Sequence, residues 1–472
     1  MALDAFGITV LVVFIGTYLV ISSEKFNRTG VALLGMGIVG FVFWIFFALQ
    51  HPVTEGWDEH GPFFELVSHI EWDTILFVTS MMIIVAVAGA SGMFQYIALR
   101  LVRPTEGDHK RLFITFLLFV FGISLFFDTV STMLIMCPLT IEVCRALDID
   151  FKPFLVAESI TCNYASIPSI VGAVPNLVIA NKVKLDAGLL FLSFMPLSAL
   201  LFIVSLPILL KWYSRAFGET DAHRVEAIFN IDPVHMIKSR RDFYAAVIAI
   251  VILIVGFMFG PTYLLAPAMF ALAIAAFMLI LSHDRASEFL TEVGWDTVFF
   301  LVGLFGLVVA LDIVGLIDDL AAGIQLVIGN DATVATIFMV WIPAMLSAFL
   351  DNLPVSIVLA PIAILFSDVS AVLPLALIFA VNVGGYIFTP LGSPANMVAI
   401  GFSEKEHDPI PFIEYIKIGT ILGMIHLAIG TGWLLLESLL LSSGVGILPL
   451  LLLGFAPFLI GIYFVFRRQK TQ

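Results

Sequence analysis

The chain has 472 residues, of which 61% are hydrophobic and only 12% are charged. Soluble domains are roughly 45–50% apolar and about 25% charged, so this composition excludes a soluble fold, a coiled coil and a disordered chain. The formal net charge of −14 argues against nucleic acid as a partner, because nucleic-acid binding requires a basic surface. The composition predicts a multi-pass membrane protein surrounded by the lipid bilayer.

Apolar runs follow one another along the chain, and about 20 apolar residues are enough to cross a bilayer as a helix. Runs such as 74–98 and 296–323 predict single spans, whereas 112–144 and 333–366 are too long for one span. A polar segment around Asp128 or Asp351 interrupts each long run, and a hairpin that returns to the same side explains it best. We predict an all-α polytopic membrane protein with about 11 transmembrane helices plus two opposed re-entrant hairpins.

Basic residues predict the orientation in the membrane, because they concentrate on the cytoplasmic side. Lys and Arg follow the first and third apolar runs, fill the segment 211–242 and end the chain, whereas 51–73 has neither. The first run is expected to stay as a span, since no small-residue cleavage site follows it. With two hairpins, all basic clusters lie on one side. We therefore expect the N-terminus outside and the C-terminus in the cytoplasm, in a prokaryotic cytoplasmic membrane.

An internal repeat occurs at an offset of 223 residues. Trp72-Asp-Thr recurs as Trp295-Asp-Thr, and Asp128 recurs as Asp351. The register then slips by four, so that Asn163 corresponds to Asn382. Each predicted repeat has five spans and one hairpin, and because five is odd the second copy is inverted. Inverted repeats with interrupted helices are typical of secondary transporters, which bind substrate where the repeats meet.

The repeat predicts the organisation of the chain. The predicted parts are a first repeat at 1–210 with a hairpin at 112–144 and a broken helix at 153–180, a cytoplasmic linker at 211–242, a second repeat at 243–437 with a hairpin at 333–366 and a broken helix at 370–400, and an extra span with a basic tail at 438–472.

Asp128 and Asp351 are the strongest functional candidates. A charged side chain within a span costs several kcal/mol on insertion scales, so it usually faces the protein interior or water. The alternative is a structural helix cap, a position for which Asp is favoured. The two roles are compatible, and the pairing across the repeat favours function. Glu142 and Glu158 also lie in or beside apolar runs and are as consistent with a structural role as with a functional one.

The segments 163–176 and 382–396 contain prolines and glycines that cannot all lie in one regular helix. Broken backbone at membrane depth is tolerated where it is buried in protein or lines a cavity. It frees carbonyl groups to bind a cation and exposes helix N-termini to an anion. A plain proline kink is the alternative for either segment alone.

The polar residues of the hairpin tips and breaks form two predicted ion- and substrate-binding clusters. The first is Asp128, Thr129, Ser131, Asn163 and Asn176, and the second is Asp351, Asn352, Ser356, Asn382, Ser393 and Asn396. Such oxygens suit a hard cation, so sodium is the expected coupling ion, with Asp128, Asn163, Asp351 and Asn382 as candidate ligands. A proton is the alternative, because a carboxylate in a low-dielectric site can take one up. No cofactor is expected.

The polar segments of the sequence resemble those of a known family. Leu125-Phe-Phe-Asp-Thr-Val-Ser-Thr is similar to the hairpin segment of the arsenite-efflux permease and melanosomal P-protein branch of the ion transporter superfamily. Ala348-Phe-Leu-Asp-Asn keeps that branch's Asp-Asn pair, and Gly392-Ser-Pro-Ala-Asn-Met-Val resembles its Gly-Ala-Ser-Ala-Asn-Val-Val ending. The first tip has Thr129 where Asn is usual.

The resemblance implies a scaffold and a moving transport domain, usually in a homodimer, that work by an elevator motion. Residues 112–181 and 333–400 would then move as one body against spans near 30–98 and 243–323. The family includes sodium-coupled dicarboxylate transporters, sodium/proton antiporters and arsenite permeases. Their ion sites lie at the hairpin tips and helix breaks, which correspond to the two clusters.

We therefore expect a secondary active transporter for a small inorganic or organic anion, arsenite-like or carboxylate-like, coupled to sodium or protons. A sodium/proton antiporter and an anion channel are the alternatives. An enzyme is not expected, because the chain has no nucleotide-binding or nucleophile motif. A separate ATPase subunit as a partner is compatible with the sequence.

Overall fold

The computed structural model describes residues 5–22, 25–50, 61–218, 232–259, 266–444 and 446. Regular structure in these ranges is helical throughout, without a strand. The α-helices are α1 Ala5–Ser22, α2 Arg28–Gln50, α3 Gly61–Ser68, α4 Trp72–Ala90, α5 Met93–Val102, α6 His109–Ile123, α7 Thr129–Leu147, α8 Lys152–Ala165, α9 Val174–Val183, α10 Ala187–Trp212, α11 Arg240–Phe259, α12 Pro267–Leu281, α13 Ala286–Thr291, α14 Trp295–Ile313, α15 Leu316–Ile328, α16 Ala332–Phe349, α17 Asn352–Leu365, α18 Leu373–Gly384, α19 Pro394–Lys405 and α20 Phe412–Ser442.

The described helices are those of a polytopic membrane protein. Seven of them are long and apolar enough to cross a membrane, or up to eight if a bent pair around residue 282 is one span. Three shorter apolar helices, α1, α17 and α18, add to these. Most of the predicted extra C-terminal span and tail, together with linker residues 219–231, lies outside the described residues.

Two runs that the sequence predicts as single spans are each divided at a glycine. Gly92, with φ 85°, separates α4 from α5, and Gly315, with φ 73°, separates α14 from α15. Glycine adopts this left-handed backbone without the steric cost of a Cβ atom, so the chain changes direction here. The prediction of uninterrupted helices over 74–98 and 296–323 is therefore wrong, because apolar character alone does not reveal a turn between two apolar helices.

The helices of 72–183 and 295–405 follow the same order. Each set begins with a long helix (α4 or α14), turns at a glycine into a shorter one (α5 or α15), and continues with two helices that meet at an Asp (α6 and α7, or α16 and α17). Two short helices separated by an irregular segment then follow (α8 and α9, or α18 and α19). Even the caps correspond, since Asp108 caps α6 and Asp331 caps α16 through two backbone N–H groups each.

Two sets of helix contacts stand out among the described helices. In the first, α2 packs against α1 and α14, and α4 packs against α11 and α12. In the second, helices of the two sets pack against each other: α19 contacts α7 and α8, and α9 contacts α17 and α18. An ion pair between Lys152 Nζ and Asp408 Oδ1, 2.6 Å apart, and another between Arg145 and Glu406 join the ends of these helices.

Helices α2 and α14 approach each other closely at Gly303. A Cβ atom at this position would lie 2.6 Å from the carbonyl carbon of Ala32 and 2.8 Å from the nitrogen of Leu33. Small residues allow this kind of close approach between membrane helices, where dispersion contacts replace the hydrophobic effect as the main attraction.

Gly303→Ala is therefore expected to destabilise the protein by roughly 1–3 kcal/mol, because the methyl group overlaps backbone that cannot move aside. The measurement is the apparent melting temperature of purified protein in detergent. Gly323→Ala in α15 is the control, since a Cβ there meets no atom within 4 Å. Equal melting temperatures of Gly303→Ala and the wild-type protein would contradict the close packing of α2 on α14.

Candidate functional site

Four asparagines from the two irregular segments meet in one buried network. Asn163 Nδ2 donates to Asn396 Oδ1 at 3.0 Å, and Asn382 Nδ2 donates to Asn176 Oδ1 at 2.6 Å. All four side chains are fully buried. Because Asn163 corresponds to Asn382 and Asn176 to Asn396, the two hydrogen bonds are equivalent, and each joins one helix set to the other. The asparagines of the two predicted clusters therefore form a single network.

The same asparagines hold the broken backbone in place. Asn176 Nδ2 also donates to the carbonyl oxygens of Ser166 and Ser169, each at 2.9 Å. Asn396 Nδ2 donates to the carbonyl oxygen of Gly385 at 2.7 Å. Buried carbonyl groups outside a regular helix need such partners, since an unmade hydrogen bond costs about 1–3 kcal/mol.

Ser166 belongs to this network, although the sequence reasoning did not single it out. Its hydroxyl donates to the carbonyl oxygen of Asn163 at 2.8 Å and contacts Asn382 Oδ1 at 3.3 Å. Its position in the sequence, three residues after Asn163 and within the predicted broken helix, could have indicated a role in the site. The contact with Asn382 joins residues far apart in the chain and needs the tertiary structure.

Two buried oxygens beside the network have no hydrogen-bond partner among the described residues: Asn163 Oδ1 and Ser393 Oγ. Buried polar atoms are nearly always paired, so these oxygens are candidate ligands. Amide and hydroxyl oxygens suit a hard cation such as sodium. Within the described ranges, no group of three or more His, Cys, Asp or Glu side chains could hold a metal ion.

Asp128 lies at the junction of the first helix pair and caps α7. Its Oδ1 accepts hydrogen bonds from the backbone N–H groups of Val130 and Ser131, each at 3.1 Å. Its Oδ2 accepts a third from Ser131 Oγ at 2.5 Å. Asp128, Thr129 and Ser131 are buried, so the carboxylate is removed from solvent but well supplied with donors.

Asp351 lies at the junction of the second helix pair and caps α17. Its side chain accepts one hydrogen bond, from Leu353 N at 3.0 Å. The neighbouring candidates Asn352 and Ser356 are buried. Ser356 Oγ donates to the carbonyl oxygen of Leu353 at 2.6 Å, so the hydroxyl hydrogen is used within its own helix.

Two cavities adjoin these junctions. The Ser131 cavity has a volume of about 450 Å³ and is lined mainly by residues of α4, α5 and α7, including Glu142 of α7. Glu292 and Gly294, which precede α14, also line it. The Asp351 cavity, of about 260 Å³, is lined by Asp351 and Arg28 among others. Glu142, one of the weaker sequence candidates, therefore faces a cavity beside the first junction.

A third, much smaller cavity of about 40 Å³ corresponds to the Ser131 cavity, and we call it the Ile357 cavity after one of its lining residues. At the 223-residue offset, Leu134 and Pro138 of the Ser131 cavity become Ile357 and Pro361 of the Ile357 cavity. Leu134 is 44% exposed, whereas Ile357 is only 6% exposed. Equivalent positions of the two helix sets therefore line cavities of very different size and differ in exposure.

Further buried polar groups lie around the site. Glu158, the other weaker candidate, accepts a hydrogen bond from Thr140 Oγ1 at 2.8 Å, between α7 and α8. His426 of α20 contacts Tyr386 OH at 2.6 Å and Ser205 Oγ at 2.8 Å. The sequence reasoning missed His426, because an isolated histidine in a long apolar helix gives no sign of its partners.

The chain is similar to known proteins. The sequence model of a family described as "Citrate transporter" matches residues 18–382, which include both helix junctions and three of the four asparagines. The chain belongs to the citrate transporter family. The expected placement in the ion transporter superfamily, beside P-protein relatives, is confirmed.

Relatives extend this similarity over nearly the whole chain. An uncharacterized transporter of Mycobacterium tuberculosis is 30% identical over 441 residues, covering 91% of this chain and 98% of the relative. The human P protein is 25% identical over 502 residues, covering 89% of this chain and 58% of its own length. The crystal structure of the YdaH transporter of Alcanivorax borkumensis aligns with a TM-score of 0.53 at 14% identity, covering 88% of this chain and 98% of that one, which shows a shared fold.

The family and the relatives establish the class of protein. This citrate transporter family member is a multi-pass membrane transporter and not an enzyme.

The asparagine network yields a stability prediction. Asn382→Ala is expected to destabilise the protein by roughly 1–3 kcal/mol, because it leaves Asn176 Oδ1 buried without its donor. The measurement is again the melting temperature in detergent. Asn181→Ala is the control, since Asn181 makes only a 3.5 Å contact with Thr74. The idea that the network holds the two helix sets together fails if both substitutions have the same small effect.

Proposed function

We propose that the protein is a secondary active transporter that moves a small anion or oxyanion, carboxylate-like or arsenite-like, coupled to sodium or protons. We further propose that it works by an elevator-type alternating-access motion, as a homodimer in the prokaryotic cytoplasmic membrane. The inequality of the Ser131 and Ile357 cavities, about 450 and 40 Å³, is the observation that carries this proposal. Equivalent surfaces that border cavities of very different size in one molecule are expected of a protein that alternates between two states.

The proposed orientation assigns a side to each cavity. The two helix sets are taken as inverted repeats, with the basic segments cytoplasmic. The Ser131 cavity then faces the cytoplasm, because it is lined by Glu292 and Gly294 from the segment before α14. The Ile357 cavity faces outward, since it is lined by His69 and Glu71 from the segment before α4. In this reading the structure is an inward-open state.

The proposed moving body contains both helix junctions and both broken segments, over residues 112–181 and 333–400. Contacts of α19 with α7 and α8, and of α9 with α17, support its movement as a unit. So do the hydrogen bonds between Asn163 and Asn396 and between Asn382 and Asn176. The proposed scaffold consists of spans near 30–98 and 243–323, where α2 packs on α14 and α4 on α12.

The proposed binding residues are those of the two predicted clusters, with sodium near Asp128, Asn163, Asp351 and Asn382. The partnerless Asn163 Oδ1 and Ser393 Oγ support a ligand beside the asparagine network. A charge at the centre of a bilayer is costly, so a bound cation is needed to neutralise the carboxylates before the body crosses the membrane.

An anionic substrate is supported by the Asp351 cavity. Arg28 is the basic residue among its lining side chains, and an arginine can pair with a carboxylate or oxyanion through two parallel hydrogen bonds. Helices α2, α17 and α19 all begin at residues that line this cavity or adjoin it. Helix N-termini carry partial positive charge and attract anions. The family description makes citrate the first anion to test.

A sodium/proton antiporter is the second candidate function. It is favoured by the Ser131 cavity, whose lining includes Glu142 and Glu292 but neither Lys nor Arg among the described residues. A cavity of that charge attracts cations and repels anions.

Flux through purified protein in liposomes distinguishes these functions. Sodium, proton and voltage gradients are imposed in turn, without ATP, and uptake of citrate, succinate and arsenite is followed. Gradient-driven uptake of an anion supports the proposal. Sodium-driven proton movement without an anion indicates the antiporter. Anion currents that follow the anion's own electrochemical gradient, without a sodium or proton gradient, indicate an anion channel.

Asp128→Asn and Asp351→Asn are each expected to reduce gradient-driven transport about ten- to a hundredfold, comparable to altering groups around a metal site. Asn keeps the size and capping ability of Asp but removes its charge and protonatable oxygen. Protein amount and melting temperature serve as controls for folding. Wild-type transport rates and wild-type ion dependence in both variants would contradict a role of the two carboxylates in transport.

The cavity pair predicts a change of accessibility between two equivalent positions. Leu134→Cys and Ile357→Cys are made separately after Cys137, Cys144 and Cys162 are replaced. In the inward-open state, position 134 should react with an impermeant thiol reagent from the cytoplasmic side and position 357 should be protected. Conditions that favour the outward-open state should reverse both results. Labelling that never changes with sodium, pH or substrate would indicate a fixed pore.

A further inference from the structure

The two junction carboxylates are equivalent in position but not in their hydrogen bonds. Asp128 accepts three hydrogen bonds, from Val130 N, Ser131 N and Ser131 Oγ. Asp351 accepts one, from Leu353 N. A carboxylate has room for about four donors, so Asp351 is left in need of other partners.

The sequence explains this difference through one position. Ser131 is the third residue of α7, and its equivalent, the third residue of α17, is Pro354. Ser131 supplies two donors to Asp128, a backbone N–H and a hydroxyl, whereas proline has neither group. The missing donors of Asp351 are thus a direct consequence of Pro354.

Arg28 lines the same cavity as this carboxylate. The two are the charged side chains among the residues that line the cavity, and Tyr18 is the other titratable group there. The positive charge of Arg28 attracts Asp351, yet the described residues show no direct ion pair between them. The guanidinium stacks over the ring of Phe300 in α14, with Cζ 5.3 Å from the ring centre. Arg28 therefore belongs to the proposed scaffold, whereas Asp351 belongs to the proposed moving body.

We propose that Arg28 is a tethered counter-ion of Asp351, that the coupling cation displaces it, and that the displaced guanidinium binds the anionic substrate. This inference rests on the proposed function, which supplies the cation and the anion. Without a bound cation, the attraction of Asp351 holds the guanidinium and competes with the anion. A cation bound at Asp351 cancels that attraction and leaves the positive charge of Arg28 to the anion.

This arrangement links the two binding events thermodynamically. Because the cation and Arg28 compete for one carboxylate, cation binding increases anion affinity, and anion binding must increase cation affinity by the same factor. When the moving body leaves the inward-open position, Asp351 also leaves Arg28. The bound cation must then accompany the carboxylate, since a single unneutralised charge is costly at membrane depth.

The reactivity of Arg28 towards phenylglyoxal tests the displacement without knowledge of the substrate. Phenylglyoxal modifies arginine side chains, and the modified peptides are quantified by mass spectrometry in the intact purified protein. We expect saturating sodium to increase modification of Arg28 about fivefold or more. The exposed Arg240 is the internal control, and its rate corrects for any effect of salt on the reagent.

Variants of the carboxylates identify the group that holds Arg28. In Asp351→Asn, modification of Arg28 should be fast without any cation. Asp331→Asn is the matched control and should keep the cation effect, because Asp331 caps α16 and does not line the Asp351 cavity. Pro354→Ser should weaken the effect, because it offers Asp351 the two donors that Ser131 gives to Asp128. A rate in the wild-type protein that does not change with sodium, or a sodium effect that persists in Asp351→Asn, overturns the inference.

Anion binding by the displaced guanidinium is tested in the flux assay with citrate, succinate and arsenite. Arg28→Gln should reduce uptake of the transported anion more than tenfold, and Arg28→Lys should retain part of it. Lys110→Gln removes an exposed positive charge that does not line the cavity and should have no effect. If the wild-type protein transports anions and Arg28→Gln equals it, this inference alone fails. If the wild-type protein shows no coupled flux, the proposed function fails first.

Discussion

A carboxylate at a helix junction inside a membrane protein needs hydrogen-bond donors or an opposite charge, and this requirement applies both to the buried Asp128 and to Asp351, which lines a cavity. A charged group within a membrane protein is stable only with donors or an opposite charge close by. Asp128 meets the requirement internally, through three hydrogen bonds from Val130 and Ser131. Asp351 does not, because Pro354 replaces the serine. Asp128 thus has its hydrogen-bond donors within its own helix, whereas Asp351 needs a further partner such as a cation or a basic side chain.

The asparagine network sets the geometry within which that difference acts. Side chains at the two backbone breaks cross over, so that each helix set supplies a donor and an acceptor to the other. The carbonyl groups released by the breaks are held by the same amides. Two interrupted helices, each unstable alone in a membrane, therefore stabilise each other. Broken backbone at this depth is tolerated because protein, not lipid, surrounds it.

The two helix sets differ at equivalent positions. Leu134 and Ile357 correspond at the repeat offset, but Leu134 lines a large cavity and is exposed, whereas Ile357 lines a small one and is buried. A fully symmetric protein would present the same surface to both sides of the membrane. Here the two surfaces are in different states at the same time, which fits a transporter that exchanges them. Arg28 adds a chemical difference to this structural one, since it adjoins only the cavity of the second junction.

The sequence by itself determined the class of the protein and the polar residues of its core. Composition decides for a membrane, and a recurring Trp-Asp-Thr with a recurring Asp reveals two related helix sets, because these patterns are local and need no folding to be read. The sequence did not predict the turns at Gly92 and Gly315, because a left-handed glycine within an apolar run does not change the hydropathy. Only the tertiary structure decided that the asparagines join across the sets and that Arg28 shares a cavity with Asp351. These are contacts between residues hundreds of positions apart, and packing alone brings them together.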